Sequence, residues 1–196
     1  MYQRFIKRYF DILFSVLLVI LFMPVFIIVG LVILTSMGMP IFYVHERPGI
    51  LKKSFKLIKF RTMIDNSKLS DSERITKVGI LLRKTSIDEL PQIFNVIKGD
   101  MSLIGPRPLL TEYNDYYNDH QNKRFYVKPG ISGLAQVSGR NNLSWDEKFD
   151  LDVEYVEKVN FSLDFIIFVK TIYVILFAKD FRNSGESKKF SDTFNE

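Results

Sequence analysis

Cysteine is absent from the 196 residues, and histidine occurs only as His45 and His120. Without cysteine there is no disulfide framework and no thiolate metal site. Two histidines are too few for a His-rich metal site, and each reads as a surface or core histidine. Charge is also missing over one long stretch: no charged residue occurs from Ile12 through Val44. Elsewhere cations exceed acids, 27 Lys and Arg against 22 Asp and Glu. The resulting net charge of +5 favours an anionic partner such as nucleic acid, phospholipid headgroups or a phosphorylated substrate.

The uncharged stretch begins ILFSVLLVILFMPVFIIVGLVILT. About 20 apolar residues suffice to cross a bilayer, so a soluble core helix is a poor reading. A cleaved signal peptide is another, because the run is too long and lacks a small-residue cleavage site before a polar start. Pro24 interrupts the run and removes a helical hydrogen bond, which favours a kink or break. Cations flank both ends: Arg4, Lys7 and Arg8 before, then Arg47, Lys52, Lys53, Lys56, Lys59 and Arg61 after. Cytoplasmic flanks are the ones enriched in Lys and Arg. A helix that turns at Pro24 and leaves on its side of entry satisfies both flanks. Pro-kinked spanning helices also exist, and the residues alone leave the two open.

Beyond the run, Ile41–His45 and Phe55–Thr62 read as a hairpin turning at Arg47-Pro48-Gly49. DNSKLSDSERITK reads as a solvated loop. Leu90, Ile93, Phe94 and Ile97 follow helical spacing and predict a short amphipathic helix ending at Gly99. Another helix is expected between Pro108 and Phe125. VKPGISGLAQVSGRNN is irregular and glycine-rich, and Ser144 with Glu147 forms a capping box that starts a helix. FIIFVKTIYVILFA is too short to span comfortably. It reads as a helix packed on the core or lying at the membrane surface.

The chemistry concentrates in SIDELPQIFNVIKGDMSLIGPRP, Ser86 to Pro108. The plain reading of Asp88 and Glu89 is helix-start chemistry: Ser86 and Glu89 make a capping box, or Asp88 is the N-cap and Pro91 the third helical residue. The surroundings suggest more. Arg83 precedes the acids, and Arg107 is stiffened between Pro106 and Pro108. A fixed guanidinium suits bidentate contact with phosphate oxygens. Phosphoryl transfer needs a nucleophile, charge neutralisation and often Mg²⁺. One carboxylate can attack phosphorus, and a neighbouring one can hold Mg²⁺.

KFRTM, SIDELPQIFNVIKGDMSLIGPRP, KPGISGLAQVSGRN and FSLDF, in that order behind an apolar N-terminus, resemble the bacterial sugar transferase family. These are the monotopic phosphoglycosyl transferases in their minimal, stand-alone form. The resemblance covers nearly the whole chain. It implies transfer of a sugar 1-phosphate from a UDP-sugar to polyprenyl phosphate, usually undecaprenyl phosphate, with release of UMP. By the same resemblance Asp88 is the covalent nucleophile and Glu89 the Mg²⁺ ligand, the two forming a catalytic dyad. Arg83 and Arg107 would bind phosphate, and Lys59, Arg61 and Arg140 match basic positions near the nucleotide-sugar site. The family's membrane helix is re-entrant and breaks at a proline matching Pro24. Two features depart from the family: Met23 stands where many relatives have serine, and the loop from Met63 to Thr76 looks shorter.

The resulting expectation is an α/β protein, mostly helical with a small β-hairpin. Residues 1–39 form a re-entrant membrane helix broken near Pro24. Residues 40–185 form a compact cytosolic catalytic domain with amphipathic interfacial helices, and 186–196 a polar tail. The partners expected are UDP-sugar, polyprenyl phosphate and membrane lipids at the cytoplasmic face of the bacterial inner membrane, with a homodimer one assembly allowed. Nucleic acid is not expected, since no recognition motif such as an RRM is present. The rival from another class is a non-catalytic membrane adaptor binding anionic lipid. A Mg²⁺-dependent polyprenyl-phosphate hydrolase is the enzymatic rival, and it would work without UMP release.

Overall fold

The computed structural model describes residues 2–66, 68–139, 142–177 and 190. Arg140 and, apart from Phe190, the tail expected over 186–196 lie outside them. A π-helical turn over Tyr2–Ile6 leads into α1, Lys7–Met37. At 31 residues and about 1.5 Å per residue, α1 is long and apolar enough to cross a membrane. The helix does not end at Pro24, which lies inside it. What the proline removes is its own N–H, hence one bond to the carbonyl a turn back, and flanking turns carry the helix through. The expected break is therefore a lost hydrogen bond within one continuous element.

The hairpin forms as its pattern predicts: β1, Phe42–Pro48, pairs antiparallel with β2, Ser54–Phe60. The stretch expected to be loop contains a one-turn helix, α2, Asp71–Arg74, behind a Ser70–Glu73 capping box. It is followed by α3, Lys77–Thr85. Next come α4, Gln92–Lys98, and a second small sheet in which β3, Ser102–Ile104, runs parallel to β4, Gly130–Ser132. Gly99, at φ +104°, ends α4 in the left-handed conformation that favours glycine. The single helix expected between Pro108 and Phe125 is instead a series of short turns, with α5 reduced to Asp119–Asn122. Aromatic packing explains this: Tyr113, Tyr117 and Phe125 all turn inward against Phe149 and Phe190, which a single helical stripe could not arrange. The chain closes with α6, Leu134–Ser138, α7, Trp145–Lys158, and α8, Phe161–Phe177. Ser144 and Glu147 cap α7 reciprocally, as predicted. Small sheets within a mostly helical body match the fold class read from the sequence.

Both ends of α1 are fixed to this same body. At its start, Arg8 donates to the Val96 carbonyl and to the Ile97 carbonyl at 2.8 Å, placing a cation on the negative end of α4. The buried Asp11 carboxylate accepts from Ser102 Oγ (2.8 Å) and the Leu103 N–H (3.1 Å). Lys7 pairs with Asp164 at 2.6 Å, and Asp164 also accepts from the Tyr2 and Tyr155 hydroxyls. At the other end, Val29 and Ile33 pack on Phe60 and Leu82. Arg61 donates there to the carbonyls of Met37, Gly38 and Met39. The apolar side chains of α1 facing away, such as Leu17, Ile20, Ile27 and Leu31, stay exposed, as do Phe165, Val169 and Tyr173 on α8. Together they form an apolar surface of the kind a lipid phase covers.

Asp164 gathers three donors from three segments, so its loss strands them. Removing one partner of a buried ion pair costs about 3–5 kcal/mol. Asp164→Ala is expected to lower the detergent-solubilised protein's melting temperature by many degrees. Asp150→Ala, which removes an exposed pair with His120, should leave it nearly unchanged.

Candidate active site

Two segments remote in sequence converge on Glu89. Lys59 arrives on β2, which the hairpin register holds beside Tyr43, and donates to Glu89 Oε1 at 2.9 Å. Arg107 arrives from the Pro-Arg-Pro segment after β3 and grips both oxygens, with Nη1 3.2 Å from Oε2 and Nη2 on Oε1. Burial opposes ionisation of Glu89, but Arg107 and then Lys59 outweigh it and hold the carboxyl well below the usual range. Burial pushes the Lys59 ammonium down, against the attraction of Glu89.

Asp88 is different. It lies in the 3₁₀ turn Ile87–Glu89, and neither acid caps a helix: Ser86 sits at φ +59° with no side-chain cap, and α4 starts after Pro91. Asp88 is 8 % exposed, and its carboxylate accepts no hydrogen bond among the described residues. Burial, then the charge of Glu89, raise its pKa, while Lys59, Arg83 and Arg107 pull it down. Arg83 stands at the end of α3, its Nε donating to Thr62 Oγ1 at 3.0 Å. Asp88, Glu89, Lys59, Arg83 and Arg107 all line one cavity of about 1700 Å³.

Arg107 is supported from behind. Arg124 Nη2 donates to the Arg107 carbonyl and to Asp152 Oδ2, each at 2.7 Å, and Arg124 Nη1 to the Tyr117 hydroxyl at 3.1 Å. The Arg124–Asp152 pair is buried. Burial, only partly offset by Arg124, pushes the Asp152 carboxyl up to about 6. The backbone before Arg107 lies so close to β4 that a Cβ on Gly130 would stand 2.1 Å from the Gly105 nitrogen, so no side chain fits there.

The predicted residues thus divide. Asp88, Glu89, Lys59, Arg83 and Arg107 meet. Arg61 lines the same cavity but directs its guanidinium to the end of α1, and Arg140 lies outside the described residues. Among the cavity residues that the sequence reading did not assign to the site are His45 and Arg47. Arg47 is half-buried and makes no hydrogen bond among the described residues; burial, then Arg107, lower its pKa. His45, read as an ordinary surface or core histidine, stacks on Tyr43 at 5.2 Å, with neither ring nitrogen bonded. Burial, with help from Arg47 and Lys59, pushes it down to about 4. Strand alternation was the available signal, since residues 43, 45 and 47 share a face with Lys59.

The model of the bacterial sugar transferase family matches residues 2–178. The chain belongs to the bacterial sugar transferase family. Membership makes it an enzyme of the phosphoglycosyl transferase type. It is 45 % identical to the uncharacterized sugar transferase EpsL of Bacillus subtilis, over 92 % of each chain. It is 40 % identical to the undecaprenyl-phosphate galactose phosphotransferase of Salmonella typhimurium, over 89 % of this chain and 41 % of that one. With the UDP-N-acetylgalactosamine-undecaprenyl-phosphate N-acetylgalactosaminephosphotransferase of Aeromonas hydrophila it shares 38 % identity, over 88 % of this chain and 44 % of that one. The chain spans less than half the length of the last two relatives.

If ionised Asp88 is the acting group, activity falls on acidification as it takes up a proton. Its raised pKa then puts the acidic limb of the pH–rate profile above the ordinary aspartate value of about 3.9. Arg83→Gln removes a charge that lowers this pKa, so the limb should move to higher pH. Rates measured from pH 4 to 8 for both proteins check this, and an unmoved limb counts against Asp88.

Proposed function

We propose that this sugar transferase moves a sugar 1-phosphate from a UDP-sugar to undecaprenyl phosphate, with Asp88 as nucleophile. The observation that carries the reading is the contrast within the dyad: Glu89 is held by two cations, whereas Asp88 is buried, unbonded and open to the cavity. A structural acid would be satisfied; an attacking one must be free. In the first step an Asp88 oxygen bonds to the β-phosphorus, the bond from that phosphorus to the bridging oxygen breaks, and UMP leaves with the electron pair. In the second, a phosphate oxygen of the acceptor bonds to the same phosphorus, the acyl-phosphate bond breaks, and the Asp88 carboxylate is restored. Anion attack on a diphosphate is opposed by Coulomb repulsion. Lys59, Arg83, Arg107 and Arg47 supply fixed positive charge against it.

Mg²⁺ belongs to this reading through donor chemistry. Glu89 offers hard carboxylate oxygens beside the nucleophile, and Mg²⁺ is an ion that completes its shell with water and substrate phosphate oxygens. Glu89 would hold it by exchanging part of its contact with Arg107. Bound, Mg²⁺ would neutralise diphosphate charge.

The proposal extends to topology. A straight spanning helix would carry Lys7 and Met37 to opposite sides of the bilayer, yet both ends of α1 are tied to one catalytic body. The helix therefore enters and leaves on one side, the cytoplasmic one by its cationic flanks.

Two experiments test this reading. Purified protein, Mg²⁺ and undecaprenyl phosphate are incubated with a panel of UDP-sugars, and UMP is measured. Wild type should release UMP with one or more donors, and Asp88→Asn should fold but release none. A sugar-phosphate adduct on the Asp88 peptide, seen by mass spectrometry of wild type quenched without acceptor, supports the covalent route; turnover by Asp88→Asn overturns it. For topology, Gln3→Cys and Lys68→Cys are made singly in the cysteine-free chain. Neither should react with a membrane-impermeant thiol reagent in intact cells, and labelling of position 3 alone would mean a spanning helix.

A further inference from the structure

The cavity does not stop at the charged groups. α1 and α8 are closed against each other near their N-terminal ends by the ring pairs Phe10–Phe161 at 5.7 Å and Phe14–Phe168 at 6.3 Å. One turn further along each helix, no ring pair bridges α1 and α8 among the described residues. There Leu18 and Phe22 of α1 and Ile172 and Leu176 of α8 line the same cavity as Asp88 and Arg107. Ile172 and Leu176 are exposed, 44 % and 62 %, so they are walls and not packed core. The hydroxyl of Thr171, also in the lining, is already bonded to Ser132 Oγ at 2.6 Å and to the Ile167 carbonyl at 2.7 Å. One continuous space is thus cationic at one end and aliphatic at the other.

We infer that the gap between the middle of α1 and the outer half of α8 is the slot for the hydrocarbon tail of the acceptor lipid. The inference rests on the proposed function and deepens it. A polyisoprenyl phosphate has the matching polarity: a terminal phosphate for Lys59 and the arginines, and an uncharged chain for Leu18, Phe22 and Ile172. A nucleotide sugar has no apolar part to place there. A bulk phospholipid carries its phosphate as a diester, so a headgroup would stand between the anion and Asp88. Apolar burial in the slot strengthens acceptor binding in proportion to the area covered, and leaves the donor's contacts untouched.

Ile172→Trp fills the slot. Its KM for undecaprenyl phosphate should rise tenfold or more, while its KM for the UDP-sugar stays within twofold. The advantage of undecaprenyl phosphate over geranyl phosphate, whose chain is far shorter, should shrink at least fivefold. Leu34→Trp, on the exposed side of α1 and outside the cavity, should change none of these. An undiminished preference for the long acceptor in Ile172→Trp overturns the inference, and so does an equal loss with both acceptors. The unaltered protein gives a second measurement that survives any folding defect of the variant. An undecaprenyl phosphate analogue with a diazirine on its first isoprene units should label peptides covering 16–25 and 168–177, and excess undecaprenyl phosphate should displace it. Labelling confined to 27–34, or equal displacement by phosphatidylglycerol, overturns the slot. Absence of UMP release by wild type with every UDP-sugar would instead defeat the functional reading, and the labelling would still report the slot.

Discussion

Glu89 is held ionised by Lys59 and Arg107, and the candidate site is arranged around that pairing. A carboxylate this enclosed is tolerated only when paired, and its two partners come from opposite directions along the chain. Lys59 is delivered by a hairpin and Arg107 by a proline-stiffened segment, so satisfying one acid fixes two pieces of backbone. Its neighbour Asp88 occupies a turn too short to offer it a donor. It is consequently held in place by the backbone while its oxygens stay unengaged. The cations that steady Glu89 also spread their field over Asp88, so one group of charges restrains the supporting acid and opposes the rise that burial imposes on the other's pKa.

A second set of buried contacts ties that site to the membrane element. Asp164 joins the start of α1 to the start of α8. Tyr155 bonds both to Asp164 and to the Ile104 carbonyl, three residues before Arg107. The start of the apolar helix is thereby linked through Tyr155 to the segment that carries Arg107. Arg61 does the equivalent at the far end of α1, from the residue that follows the strand carrying Lys59. The apolar helix and the charged site are thus linked near each end of α1 through buried and part-buried hydrogen bonds.

Local chemistry in this chain was readable, and long-range assembly was less so. The hairpin, the stop of α4 at Gly99 and the start of α7 at Ser144 follow from turn, cap and periodicity signals carried by a few adjacent residues. The polar run after Met63 misled because Ser70 and Glu73 form a capping box within a segment whose overall composition reads as loop. The stretch after Pro108 misled in the other direction: its tyrosines serve an aromatic cluster that includes Phe190, far away in sequence. Asp88, Glu89, Lys59, Arg83 and Arg107 were found as a group because motif residues cluster in sequence as well as in space. Arg61 belongs to the same KFRTM motif, yet its guanidinium points to a helix end, since motif membership does not fix a side chain's direction. Arg47 was overlooked because it reads as a flanking cation and His45 because it reads as a surface or core histidine, and only strand pairing reveals that they share a face with Lys59.

The ion pair between Lys7 and Asp164 spans 157 positions of the chain, and this separation has a consequence for the order of folding. Lys7 meets its counter-charge, and Asp11 its donors Ser102 and Leu103, only when segments far apart in sequence have come together. Such contacts must overcome the entropy of closing a long loop before they stabilise anything, so the start of α1 is seated by the last contacts to form and not by its own neighbours in sequence.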